Sequence, residues 1–432
     1  AGASAIWSPD DRQIYPEGLG SGWRLRAPTA LQSGLCGPRR PDHFDGVCTV
    51  VSRLLALVQP RQIWLGEKDW QQLTILRRMV ADLGLSVRVK GCATVRESDG
   101  LAASSRNAYL APSERRRAAS IGTALRAAAT ELGAGVRGQS EVLMSLSQEL
   151  ESAGLEVEYV EVVDPFTLQS AVPEQSLRLL ATAVHCDSTR LIDHIFVMTR
   201  SPIVAIDGPA GAGKSTVTRA FAERMGLLYL DTGAMYRAVT LWVQEHGADP
   251  ANAEAVERLL EGLEVDLSPL RNGVQTVCVN GRDVTDAIRD PRVTGSVSTV
   301  AAHACVRALL TRQQQRLGET GGLVAEGRDI GTAVFPEAEL KVFLTATPEE
   351  RARRRARDLQ ERGHSVPALS ELEAQIVERD RLDSTRTIAP LVQAEDATEL
   401  VTDGMGIEAV IDALEDLFRA RVAEEVWPTP EC

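Results

Sequence analysis

The chain has 432 residues, 44% of them hydrophobic and 4% aromatic, and its 47 Lys plus Arg stand against 60 Asp plus Glu for a formal net charge of −13. This is a globular composition sized for roughly two to four domains, which excludes a disordered or fibrous chain. The acidic balance excludes nonspecific nucleic-acid binding over the whole surface; with no run near the roughly 20 apolar residues of a bilayer span and no basic-then-apolar opening, a cytoplasmic protein without a membrane partner is expected.

In chain order, hydrophobic periodicity predicts a buried strand at Ile63 to Leu65, a helix at Asp69 to Leu83 and a strand at Val87 to Val89, an α/β texture. Three segments of this part are unusual together: Cys36-Gly-Pro-Arg-Arg-Pro-Asp-His-Phe-Asp-Gly-Val47, Leu65-Gly-Glu-Lys-Asp-Trp-Gln-Gln-Leu73 and Val95-Arg-Glu-Ser-Asp-Gly-Leu-Ala-Ala-Ser-Ser-Arg-Asn107. The stretch Gly66 to Asp69 follows a strand and opens a helix, which places Lys68 at a strand's carboxyl end, where open parallel sheets bind ligands. Alone it reads more readily as a surface turn. Ser104, Ser105 and Arg106 bring two hydroxyls and a guanidinium to a loop ahead of a helix near Pro112, a natural grip for phosphates. From Ser113 to Ala153 the pattern is helical with a glycine-rich break at Gly133 to Gly138. Strands are then predicted at Val157 to Val162, Leu177 to Val184 and Leu191 to Val197, a separate α+β unit.

The reading restarts near residue 199. Pro202 to Asp207 is a continuous apolar run closed by a glycine-rich loop, as a central parallel strand would be. Gly208-Pro-Ala-Gly-Ala-Gly-Lys-Ser-Thr216 fits G-x-x-x-x-G-K-[ST] and is followed by a helical pattern from Lys214 to Met225. Gly208, Gly211 and Gly213 would let consecutive backbone amides approach phosphate oxygens, and the helix start at Lys214 to Thr216 adds its positive end. Lys214 would neutralise the β and γ phosphates of ATP, and the Ser215 hydroxyl would hold Mg²⁺. No lysine follows Asn, so a guanine-reading N-K-x-D motif is absent. Asp231-Thr-Gly-Ala-Met-Tyr-Arg237 then offers a hydroxyl, a phenol and an arginine to a second ligand. If Glu371 to Thr385 is a helix, Arg379, Asp383 and Arg386 fall at i, i+4 and i+7 on one face. A helix predicted from Pro348 carries Arg351, Arg354 and Arg355 on one face, as a mobile phosphate lid would, while Arg353 and Arg357 read as a solvated face paired with Asp358 and Glu361. The tail after Ala423 reads as a loose end.

Seven cysteines (Cys36, Cys48, Cys92, Cys186, Cys278, Cys305 and Cys432) lie scattered without a C-x-x-C pair, so mostly buried, reduced thiols are expected rather than a disulfide framework or a zinc cluster. Only Lys68, Lys90, Lys214 and Lys341 are lysines. Two of them sit in the motifs above, where a compact ammonium rather than a guanidinium serves. The chain opens on Ala1 and not Met, which suggests a fragment or a processed start.

The segments IVAIDGPAGAGKST, LDTGAMYR, AEGRDIGTAVFP and ERDRLDSTRTIAPL resemble those of bacterial cytidylate kinase, in that order, from about 202 to 420. That resemblance implies transfer of the ATP γ-phosphoryl to CMP or dCMP, with a small inserted domain at Leu263 to Arg307. It also implies that Thr232, Arg237, Arg307, Arg328, Asp329, Arg379, Asp383 and Arg386 bind the monophosphate, with Lys214, Arg328 and Asp329 central to catalysis. A general base is not required, because the acceptor oxygen is already an anion.

The three segments of the first part resemble pantothenate synthetase (pantoate–β-alanine ligase), from Ala1 to about Val197. The resemblance implies ATP contacts at Gly66, Glu67, Lys68, Asp69, Val95, Ala103, Ser104, Ser105 and Arg106, pantoate at Gln72, and a reaction in which pantoate is adenylated and β-alanine displaces AMP. Lys68 would act catalytically on phosphate charge. Asp42 and Asp45 depart from that family, which usually has Gly and a nonacidic residue there. None of the six histidines forms the family's H-x-G-H, so ligase turnover is not expected of the chain as given. The implied fold is α/β: an incomplete Rossmann-like nucleotidyltransferase domain at 1–110 and an α+β C-terminal ligase domain at 111–198, then a P-loop nucleoside monophosphate kinase domain at 199–432. The order resembles a ligase–kinase fusion known in cyanobacteria, with a homodimer through the ligase half. Two other readings stay open, a kinase on a noncatalytic dimerisation platform and a GTPase or motor ATPase.

Overall fold

The computed structural model describes residues 4–18, 20–269, 275–361, 363 and 365–427. Two units result, one running to Thr199 and rejoined by the segment that begins at Ala423, the other running from Arg200 to Val422.

In the first unit, α1 (His43–Val58) leads into β1 (Gln62–Gly66), which pairs in parallel with β2 (Arg88–Cys92) across α2 (Trp70–Asp82). The helix begins one residue later than expected because Glu67–Asp69 forms a 3-10 turn. Asp42 takes the left-handed conformation at φ 61°, so the backbone shape that favours glycine is kept with an aspartate. Asp45 accepts from the Ala27 amide at 2.9 Å and from Gln32 at 3.0 Å, which accounts for the acidic residue in that segment.

Helices α3 (Pro112–Ala118), α4 (Ser120–Ala134) and α5 (Gln139–Ser152) precede an antiparallel sheet of β3 (Glu156–Val163), β4 (Leu177–Cys186) and β5 (Thr189–Met198). The predicted break at Gly133 to Gly138 is a left-handed Gly135 closing α4. Strand β4 is mostly apolar because both its faces are covered, and its buried polar groups are bonded, Thr182 to the Tyr159 carbonyl at 2.8 Å and Arg178 to the Leu132 carbonyl at 3.0 Å. Leu179, Ala181 and Ala183 enter the core shared with α1 and α2, while Leu180, Val184 and Cys186 enter the core shared with α4 and α5.

The second unit is a five-stranded parallel sheet. Its strands are β6 (Ile203–Asp207), β7 (Leu228–Asp231), β11 (Leu323–Gly327), β12 (Leu340–Thr345) and β13 (Thr398–Val401), in the order β13-β12-β6-β11-β7. Ala205 of β6 lies opposite Ala325 on one side and Lys341 on the other. Helix α6 (Lys214–Met225) covers the same span as expected, and α7 (Thr232–Glu245) follows β7. Between α7 and β11 come α8 (Ala253–Arg258), a small antiparallel sheet of β8 (Val265–Leu267), β9 (Val277–Val279) and β10 (Arg282–Asp283), then α9 (Pro291–Ala301) and α10 (Ala304–Leu317), of which the small sheet, α9 and the start of α10 fall in the expected insertion at Leu263 to Arg307. Val265, Val277, Val279 and Val300 join the core around Met235, Ala238 and Val239 of α7.

Helices α11 (Pro348–Glu361), α12 (Leu369–Thr385) and α13 (Ile407–Arg421) complete the unit. Helix α12 ends at Thr385, as expected, so Arg386, read at i+7 on its face, stands one residue past it as the cap, in extended conformation. The stretch after Ala423 is not a loose end either. Ala423 is buried in the first unit, and the amides of Glu424 and Glu425 donate to Glu67 at 2.8 and 2.9 Å. The expected tail residues 428–432 lie outside the described residues. Among the described residues, no single helix is long and apolar enough to cross a membrane.

Candidate active sites

In the second unit the apolar run of β6 ends on Asp207, whose carboxylate accepts from the amides of Ile330 and Gly331 at 2.8 and 2.7 Å. Burial pushes that carboxyl up to about 6. The loop follows with Gly208, Gly211 and Gly213 at φ 151°, 76° and 86°, and Gly213 caps α6. Lys214 is buried and donates to the carbonyls of Gly208 at 2.7 Å and Pro209 at 2.8 Å. Burial, with Arg328 beside it, pushes the ammonium well below the usual lysine range. Ser215 and Thr216 stand in the first turn of α6.

The residues expected at the acceptor come from four places. Thr232 opens α7 and donates to the Glu326 carbonyl at 2.6 Å, and Arg237 of the same helix meets Asp231 at 3.3 Å. Arg307 of α10 forms a buried pair with Asp329, which also meets Arg386 at 3.3 Å. Arg328 bonds Asp383 at 2.9 Å. Arg379 is different: its Nε is buried without a hydrogen-bond partner. Burial and then Arg328 hold its guanidinium down, with Arg237 and Arg355 pushing the same way. The other four arginines of this group each meet a carboxylate.

Sequence reasoning missed Glu326, which is enclosed at the end of β11. Tyr229 donates to its Oε1 at 2.7 Å, while Oε2 has no hydrogen-bond partner. Burial and Asp231 push this carboxyl up, against Lys214 and the Ser215 hydroxyl. A carboxylate at the end of the apolar run Leu323 to Ala325, still within β11, was a signal that could have found it. The expected lid arginines need correction. Arg351 and Arg354 are turned inward onto the Ala210 and Ala212 carbonyls, both at 3.0 Å. Only Arg355 keeps an exposed side chain on that face, paired with Asp358 at 3.0 Å. Arg353 and Arg357 pair with Glu349 and Glu350, not with Asp358 and Glu361.

In the first unit a cavity gathers Lys68, Asp69 and Gln72 with Cys36, Arg40, His43, Tyr159, Asp193 and His194. Gln71 and Gln72 both line the cavity, and Gln71 is tied through its Nε2 to the carbonyls of Leu31 and Gly34 at 3.0 and 3.1 Å. Arg40 and His43 are both pushed down, first by burial, Arg40 then by Arg190 and Arg106 and His43 then by Arg40, Arg106 and Arg190. Arg106 is not among the cavity-lining residues and donates to the Arg190 carbonyl at 3.2 Å. Ser104 caps the 3-10 turn Ser105–Tyr109 by accepting from the Arg106 amide, and Ala103 donates to the Val95 carbonyl at 2.8 Å. Gly66 ends β1. Val95, Ala103, Ser104 and Ser105 are not among the cavity-lining residues. Glu67, expected at ATP, is instead enclosed and holds the Glu424 and Glu425 amides, which no local sequence signal announces. Arg40 and His43 stand inside a segment already singled out; Asp193 and His194, on β5, carried no signal.

Lys341, outside both motifs, is buried against Asp396 at 2.9 Å. Among the described residues six cysteines are free, three buried and three half-buried, and no group of His, Cys, Asp and Glu is arranged to hold a metal by itself.

The cytidylate kinase family matches residues 204–420, and the pantoate-beta-alanine ligase family matches residues 1–196. A bifunctional pantoate ligase/cytidylate kinase of Synechococcus sp. (strain WH7803) is 74% identical over 431 residues, covering 100% of this chain and 88% of the relative; the one from strain CC9311 is 68% identical over 434 residues, covering 100% and 87%. The crystal structure of pantothenate synthetase from Thermus thermophilus is 39% identical over 46% of this chain and 71% of that one, with a TM-score of 0.43. With identity of this extent running through both units, the chain belongs to the bifunctional pantoate ligase/cytidylate kinase family.

Proposed function

We propose that the second unit transfers the γ-phosphoryl group of ATP to CMP or dCMP. One observation carries this reading: at the carboxyl ends of β6 and β11 a phosphate loop stands beside guanidiniums drawn from separate elements, one of them, Arg379, still unmatched. Open parallel sheets bind ligands at that edge, beside the strand where the order reverses. The loop amides and Lys214 would hold the donor phosphates, with the ammonium leaving the carbonyls of Gly208 and Pro209 as phosphate arrives. Arg237, Arg307, Arg379 and Arg386 would take the acceptor phosphate, while Asp329 and Asp383 would bond its base and ribose and Thr232 would line the same pocket. Arg328 stabilises the charge that develops in transfer.

The Ser215 hydroxyl and the unpartnered Glu326 Oε2 fit a hard divalent cation, since both are oxygen donors at the loop's edge. Mg²⁺ held there would neutralise phosphate charge when ATP is bound.

For the first unit we infer ATP-dependent condensation of pantoate with β-alanine, releasing AMP. Gln72 faces pantoate in the cavity, and Lys68 and Arg106 neutralise the phosphates as the carboxylate is adenylated. Asp69, with the backbone of Gly66, Val95, Ala103, Ser104 and Ser105, borders the nucleotide. A homodimer through this unit, a cytoplasmic setting and small-molecule partners without nucleic acid complete the proposal.

Coupled ADP release with CMP, dCMP, UMP and AMP tests the kinase. CMP-dependent turnover is expected; turnover without any acceptor would make the unit an ATPase or GTPase. Lys214→Ala should lower transfer by about 10³-fold. Pantothenate formation from ATP, pantoate and β-alanine is measured separately, because the sequence carries no H-x-G-H.

A further inference from the structure

Arg351 is buried in α11 and reaches three groups at once. Its Nε donates to the Ala346 carbonyl at 2.9 Å, and its Nη1 donates to the Ala210 carbonyl at 3.0 Å and meets Asp380 Oδ2 at 2.6 Å. One helical turn on, Arg354 donates to the Ala212 carbonyl at 3.0 Å and is itself fixed by the Thr402 carbonyl at 2.7 Å. The Ala210 and Ala212 carbonyls belong to the phosphate loop.

In a trans peptide unit the carbonyl and the following N–H point in opposite directions, and among the described residues no cis bond interrupts the chain. Holding the Ala210 and Ala212 carbonyls against α11 therefore turns the Gly211 and Gly213 amides the other way, toward the cradle. A glycine-rich loop left free would sample many orientations of those amides, and ordering it would cost binding free energy. The carboxylate that neutralises Arg351 comes from α12, beside Arg379 and three residues before Asp383. A single ion pair thus links the donor loop to the helix that bears the acceptor residues.

We propose that the Arg351–Asp380 pair is a positioning element for phosphoryl transfer, fixing the phosphate-loop amides and setting the donor loop in register with the acceptor helix. This rests on the kinase reading above. Neither residue touches phosphate in this role; both act through the loop.

The test is steady-state kinetics of the full chain with ATP and CMP for the wild type, Arg351→Ala, Asp380→Asn and the double variant, with Asp380→Glu as the conservative replacement. Misplacement of reacting groups by a fraction of an ångström predicts a kcat loss of about 10- to 100-fold and an increased KM for ATP, with KM for CMP within about twofold. The double variant should be no slower than the slower single variant, because both break one link. Asp380→Glu should recover part of the loss.

Wild-type kinetics in Asp380→Asn would overturn the proposal. So would a fast Asp380→Asn beside a slow Arg351→Ala, which assigns Arg351 to direct phosphate contact, and so would losses that multiply in the double variant. A lowered melting temperature with unchanged kcat and KM makes the pair purely structural and also overturns it. If the wild type itself shows no CMP-dependent turnover, the kinase reading fails instead.

Discussion

Arg307 and Asp329 form a closed ion pair at the acceptor site, 4% and 5% exposed, with the Arg307 guanidinium also stacked 5.4 Å over the Tyr236 ring. The pair needs its second arginine partner too. Arg386 meets the other carboxylate oxygen at 3.3 Å, so one buried anion holds two cations together.

Asp329→Asn should therefore do more than weaken nucleotide binding. Two guanidiniums would face each other without their carboxylate, and removing one partner of a buried pair costs about 3–5 kcal/mol. Urea unfolding of the second unit is the measurement. An unchanged midpoint would show that the pair carries no buried charge.

Acid should destabilise the first unit through His194. Burial holds this imidazole down to about 4, with Asp193 opposing and Arg96 and Lys68 adding to the depression. The unfolded chain then binds the proton first as pH falls. This contribution is intact above the unfolded value of 6.5 and is lost as pH falls from 6.5 toward 4, by roughly 3 kcal/mol in all. Protection factors of β5 amides, taken relative to the intrinsic exchange rate at each pH, should fall as pH falls between those values in the wild type and stay nearly flat in His194→Gln. Equal slopes for the two proteins would count against it.

Gly208→Ala should disable the phosphate loop. The glycine sits at φ 151°, and a Cβ there would fall 2.0 Å from the Leu344 carbonyl oxygen, a backbone atom that cannot swing aside. The loop must shift, which should lower kcat by about 100-fold. Near-normal transfer in this variant would mean that the loop conformation is not the one used in turnover.

Ending the chain at Val422 should loosen β1 and α2. Glu67 is fully enclosed and would lose two amide donors at 2.8 and 2.9 Å, and an orphaned buried acceptor costs about 1–3 kcal/mol. Faster hydrogen exchange in both elements is expected, partly reversed by adding Glu67→Ala. Unchanged exchange would show that the segment from Ala423 contributes nothing to this unit's stability.

The phosphate loop was legible because its chemistry is local. Glycines at fixed offsets, a preceding apolar strand and a following helix are all encoded within about fifteen residues. The β4 run from Leu177 was also clear, since a strand buried on both faces is mostly apolar, here with Arg178 and Thr182 as its buried polar exceptions. Arg386 illustrates the limit. Its spacing from Arg379 and Asp383 marked it as a partner, yet it stands past the helix end at Thr385 in extended conformation, so helical spacing does not set its direction.

Arginine roles on α11 were set by tertiary structure alone. Five arginines in one short run look alike in sequence, but Arg351 and Arg354 face the loop carbonyls while Arg353 and Arg357 face Glu349 and Glu350. Likewise Glu67 looked like a ligand contact until the chain's far end supplied its two amides. By itself, then, the sequence determined the two chemistries, the order of the units and the phosphate cradle, all of which follow from residues near one another in the chain. The tertiary structure decided which charged groups face a ligand and which are consumed inside the fold. A charge's role depends on the partner that neutralises it, and Glu67 and Glu424 stand hundreds of residues apart.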